Sequence, residues 1–179
     1  MLLASGCLDP TCIGEVRPRE NHVPVVEVTP EPTFEPVPAP VGLCCRPTSL
    51  AIQTMSDADE DFLTVRYDIL IRRQLASEPQ RINLFESQPI TQTDGKYPTG
   101  TTDLRLNPDL IFGQLGLLPE IDTQLIELRV SDNGFVNDEK NVPIVPDGGG
   151  LFFASWLIRL SDVSCAEACD GEGEGEAGQ

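Results

Sequence analysis

The side chains best placed to do chemistry are carboxylates at alternate positions in Asp57-Ala58-Asp59-Glu60-Asp61. Alternating carboxylates can aim at one hard cation, and calcium takes oxygen ligands of this kind. The helical-hand calcium loop is excluded. Its glycine position is Phe62 here, and its closing acid would be Asp68, inside a strand pattern. A second oxygen-rich stretch holds Asp132, Asn133, Asn137, Asp138 and Glu139. Asp57, Asp59, Asp61, Asp132, Asn133 and Asp138 are therefore the candidate ligands of a looser calcium site. The competing reading is two solvated turns, which Asp and Asn favour because they hydrogen-bond their own backbone. No other cofactor is implied.

Catalytic patterns are missing. The chain has one His, His22, in a Pro-rich segment. That excludes Ser-His and Cys-His catalysis within a folded domain, and His-based zinc sites with them. Gly148-Gly149-Gly150 lacks the Lys and helix of a phosphate loop. There is no Gly-x-Ser-x-Gly elbow, and no carboxylate pair stands out for glycoside hydrolysis. The expectation is a protein that is not an enzyme.

Six cysteines remain: Cys7, Cys12, Cys44, Cys45, Cys165 and Cys169. That number suits an oxidising compartment. Cys44 and Cys45 stand just before the first strong strand, and Cys165 and Cys169 just after the last. Pairing these two couples is the economical hypothesis, with the connectivity open. A bridge closing a loop of about 120 residues contributes on the order of 3–5 kcal/mol. A four-thiolate metal site is the alternative, but Cys44-Cys45 lacks the spacer of a zinc knuckle.

Strands must position these residues. Leu63, Val65, Tyr67, Ile69 and Ile71 alternate with Thr64, Arg66, Asp68 and Arg72, a period of two with one polar face. Ile126, Leu128 and Val130 alternate with Glu127 and Arg129. Leu151 to Leu160 is apolar on one face and partly so on the other, which predicts a strand covered on both sides. Ser49–Thr54, Arg81–Glu86 and Asp103–Leu106 are shorter strands, and Val142–Val145 is an edge strand because of Pro143. A short helix is possible over 109–112. Thr93-Asp94-Gly95-Lys96 and Asp132-Asn133-Gly134 have the chemistry of tight turns. The expected fold is all-β: an antiparallel sandwich of about seven strands over 44–164.

The rest is polar. Residues 13–43 carry Pro18, Pro24, Pro30, Pro32, Pro36, Pro38 and Pro40 with interleaved Glu. Pro fixes φ and disfavours helix in its predecessor, so an extended spacer is expected. One alternative is that the β-branched run Val23–Val28 pairs on the edge of the domain. Residues 165–179 form a Gly/Glu-rich acidic tail of disordered composition. With 29 acids against 12 bases the net charge is −17, which excludes phosphate-backbone binding and hence nucleic acid.

Within residues 1–12, Leu3-Ala4-Ser5-Gly6-Cys7 resembles the lipobox of bacterial lipoproteins. The resemblance implies export and a lipid on Cys7. Leu8 in place of Asp implies an outer-membrane or cell-surface location. Because an anionic surface repels so acidic a chain, membrane contact would come through the lipid. No stretch reaches the roughly 20 apolar residues of a spanning helix. The run Leu125–Gly134 resembles a late strand and turn of bacterial Ig-like or cadherin-like domains, which implies an Ig-like sandwich. The expected protein is a lipid-anchored envelope module whose partner is an unidentified envelope protein or glycan. The alternative is a calcium-dependent adhesion or carbohydrate-binding module.

Overall fold

The computed structural model describes residues 21–33, 35–40, 47–71, 79–107, 110, 113, 115, 124–140 and 142–161. Cys7, Cys44, Cys45, Cys165, Cys169 and the acidic tail lie outside them, as does most of the helix expected at 109–112. One wide turn is seen there, with the Leu115 N–H donating to the Leu110 carbonyl at 3.0 Å.

The fold is all-β. In chain order the strands are β1 (Val25–Thr29), β2 (Val37–Pro40), β3 (Thr48–Ser56), β4 (Thr64–Ile71), β5 (Gln80–Glu86), β6 (Leu104–Leu106), β7 (Gln124–Ser131), β8 (Val136–Asn137), β9 (Pro143–Ile144) and β10 (Leu151–Ser161). One sheet runs β2-β10-β7-β4-β5, a second runs β1-β3-β6, and β8 and β9 form a ribbon. Pairing is antiparallel except that β2 lies parallel to β10.

Alternation explains the core. Register aligns Phe152, Val130 and Val65 in one row across β10, β7 and β4. Ala154, Leu128 and Tyr67 make the next row, and Trp156, Ile126 and Ile69 the third. These residues share one hydrophobic cluster with Val26, Leu50, Ile52, Met55, Leu104 and Leu106 of the smaller sheet. Apolar faces that a single sheet would leave in water thus bury each other. The Tyr67 hydroxyl ties the sheets together by donating to the Leu50 carbonyl at 3.2 Å. Burial, with the charge of Asp103 adding to it, pushes the Tyr67 phenol far above its ordinary value, so it stays a donor.

The spacer expected over 13–43 needs correcting, because its second half belongs to the domain. Val25–Thr29 pairs antiparallel with β3 along its length, with a bulge at Glu27/Val28. Val37–Pro40 pairs with the end of β10. Pro24 and Pro30 flank β1 instead of interrupting it, so its β-branched residues keep their N–H groups. Pro38 and Pro40 sit in an edge strand, where a missing donor is tolerated. Between the two strands, the Trp156 indole N–H donates to the Pro30 carbonyl at 2.7 Å. That bond gives the one Trp the polar partner that burial demands.

Candidate functional site

The two acidic loops meet the same short stretch of chain, residues 21–23. The His22 backbone N–H donates to Asp59 Oδ2 at 2.7 Å. The His22 ring Nδ1 stands 3.2 Å from both Asp59 oxygens. Asn21 Nδ2 donates to Asp132 Oδ2 at 2.9 Å and to the Gly148 carbonyl at 2.6 Å. The Gly150 N–H donates to both Asp132 oxygens, at 2.8 and 3.0 Å. A Cβ on Gly150 would lie 2.7 Å from the His22 carbonyl oxygen and 3.0 Å from Val23 Cα. Glycine is what allows this close approach. Residues 21–22 therefore clasp one pole of the domain, so His22 is docked rather than adrift in a spacer.

The other candidate ligands serve their own loops. Asp57 Oδ1 accepts the Asp59 N–H and Oδ2 the Asp61 N–H, at 3.3 and 3.2 Å. The Asp61 carbonyl accepts the Tyr97 hydroxyl. Asp138 Oδ1 accepts the N–H groups of Lys140 and Val142, at 2.8 and 2.7 Å, and so turns the β8–β9 ribbon. The Asn133 N–H donates to Ser131 Oγ at 3.2 Å. Asp57 and Asp59 are buried, and N–H donors of the chain itself satisfy much of their demand. Among the described residues, no three His, Cys, Asp or Glu side chains gather as a metal site.

A second polar centre lies on the outer face of the five-stranded sheet. Sequence reading placed Arg66, Asp68, Glu127 and Arg129 on polar faces but not in one network. Register unites them: Arg129, Arg66 and Glu86 share one row across β7, β4 and β5, and Glu127, Asp68 and Asn83 share the next. Asp68, with no exposure at all, takes Arg66 Nε at 3.0 Å, Arg129 Nη1 at 3.1 Å and Arg81 Nη1 at 3.6 Å. Glu127 takes Arg129 Nη2 at 2.7 Å and also Arg81. Arg66 Nη1 continues to Glu86 Oε2 and Asn137 Oδ1, each at 3.1 Å. The Asn137 contact brings the β8–β9 ribbon onto this face.

Three guanidiniums thus face three carboxylates. Each acid meets at least one guanidinium, and each guanidinium at least one acid. Buried charge on this scale is tolerated only when paired and hydrogen-bonded. Such an arrangement holds strands in register. The signal in the sequence was the density of opposite charges on neighbouring strand faces; the missing information was which strands are neighbours.

Beside the network the face turns apolar. The Arg129 guanidinium lies 5.2 Å from the centre of the Phe153 ring, a cation–π distance. Phe153 is half exposed and helps line a shallow groove of about 420 Å³ with Pro32, Leu125 and Leu157.

No protein-family model, curated protein or solved structure matches this chain.

Proposed function

We propose that the protein is an exported, lipid-anchored module of the cell envelope, an Ig-like β-sandwich that binds or braces other envelope components. The observation that carries this reading is a lipobox-like Leu3-Ala4-Ser5-Gly6-Cys7 ahead of an all-β domain that clasps its own chain at Asn21 and His22. On this reading Cys7 carries the lipid, and the residues between Cys7 and Asn21 span from membrane to domain. Two sheets with one shared core suit the sandwich. A partner-facing role, not catalysis, suits an ionic network whose acids and bases are matched to each other and a half-exposed aromatic ring beside it. The test is Cys7→Ser in the native host. The wild-type protein is expected in the membrane fraction, incorporating labelled fatty acid. The variant should lose the label and leave the membrane. Equal fractionation of the two would sink the anchor.

A second reading is a calcium-dependent adhesion or carbohydrate-binding module. It draws on the convergence of the loops at 57–61 and 132–134 on the same two residues. It requires calcium to raise the melting temperature and EDTA to reverse the rise.

A further inference from the structure

We propose that Asn133-Gly134 is a self-modifying site whose conversion loosens the clasp at Asn21 and His22. Asn133 is exposed in the turn that follows β7. Its backbone N–H is used by Ser131 Oγ, but its side-chain amide has no hydrogen-bond partner among the described residues. The next residue, Gly134, has φ +67° and no Cβ to shield its nitrogen, and among the described residues its N–H has no partner either. A free side-chain amide beside an unhindered backbone nitrogen is what ring closure needs.

The other described asparagines each have a side-chain hydrogen bond. Asn21 Nδ2 donates to Asp132 and to the Gly148 carbonyl. Asn83 Nδ2 donates to Asp68 and to the carbonyls of Tyr67 and Phe85. The Oδ1 of Asn107 accepts the Leu110 N–H, and that of Asn137 accepts Arg66. Asn133 also has the follower least able to obstruct.

In the reaction, the Gly134 backbone nitrogen attacks Asn133 Cγ. A C–N bond forms, the side-chain nitrogen leaves as ammonia, and the nitrogen's proton passes to solvent and leaving group. Water then opens the cyclic imide at either carbonyl, giving aspartate or its β-linked isomer. The balance is one water consumed and one ammonia released, with no oxidant or reductant.

The place of this site makes the change consequential. Asp132, which holds Asn21 and Gly150, is its immediate neighbour. A Cβ on Gly149 would lie only 2.7 Å from Asn133 Cβ, so the stem of Asn133 rests against the 148–150 loop. Conversion sets a second carboxylate beside Asp132, and the β-linked product also lengthens the backbone there. Both changes act on the loop to which Asn21 is bonded.

The test uses the full chain, aged at mildly alkaline pH in heavy-oxygen water and mapped by peptide mass spectrometry. Asn133 is expected to convert several-fold faster than Asn83, Asn107 and Asn137, taking up solvent oxygen. Gly134→Ala should slow it and Asn133→Gln should abolish it. Hydrogen exchange is then read on aged protein and on Asn133→Asp, which needs no ageing. Faster exchange at residues 21–23 in both is expected, with exchange in β4 and β7 unchanged. Conversion of Asn133 no faster than of Asn137 would overturn the site. Unchanged exchange at 21–23 in both samples would overturn the coupling.

Discussion

The ionic network on β4, β5 and β7 and the clasp at residues 21–22 are both built on carboxylates, yet they are held by different donors. In the network, guanidiniums meet buried Asp68 and Glu127, so charge answers charge where water is excluded. At the clasp, an amide side chain, a backbone N–H and a neighbouring His answer Asp132 and Asp59. Removing one charge from the first leaves a net buried charge without compensation. Removing a donor from the second exposes a polar atom close to solvent. The network therefore fixes strand register, while the clasp is the part of the domain that can let go at modest cost.

The largest effect separating the two regions comes from Asp68→Ala. It removes the acid that all three guanidiniums share, leaving them with only Glu86 and Glu127, and is expected to cost about 3–5 kcal/mol in denaturant unfolding. Replacing the group together, as Arg66→Met, Asp68→Leu and Arg129→Met, should cost much less, because an apolar substitute leaves less buried charge unpaired. An equal loss in both variants would show that the charges do not act as a unit.

Smaller effects come from Tyr67 and the clasp. Tyr67→Phe removes the hydroxyl that bridges the sheets and should cost about 0.5–1.5 kcal/mol. The same hydroxyl sets a pH limit. Its folded pKa is raised above 10.0, so its contribution is complete below that value and is lost as the pH rises beyond it. Melting temperature should fall above pH 10, and less steeply in Tyr67→Phe. Asn21→Ala, an exposed change, should cost about 0.5–1.5 kcal/mol at most. Its clearer sign is faster hydrogen exchange at residues 21–23 with no change in β7. Calcium is the smallest expected effect. The carboxylates already serve N–H donors, so the melting temperature should not move with calcium or EDTA. A reversible rise would move the account to the second reading.

Much of the fold was legible because alternation is local. Leu63 to Ile71 and Gln124 to Ser131 show their core faces without any knowledge of their neighbours. The two early strands were masked by proline. Composition suggested a spacer, whereas Pro24 and Pro30 only flank β1, and β2 sits at an edge that tolerates Pro38 and Pro40. Only the open alternative at Val23–Val28 anticipated the pairing. The acidic loops were visible as acidic, but the partner of Asp59 is 37 residues away in sequence and that of Asp132 is 111. The network was hidden for the same reason, since Arg129 reaches Asp68 across 61 residues. Periodicity tells which face a side chain takes; it does not tell what will lie beside it.

The most direct test of the proposed function is the intact mass of the protein from its native host, before and after reduction. The account predicts a chain that begins at Cys7 and carries a diacylglyceryl group, with a mass gain on reduction from bridges among Cys44, Cys45, Cys165 and Cys169. An unmodified Cys7 within a longer chain, with every thiol free, would contradict it.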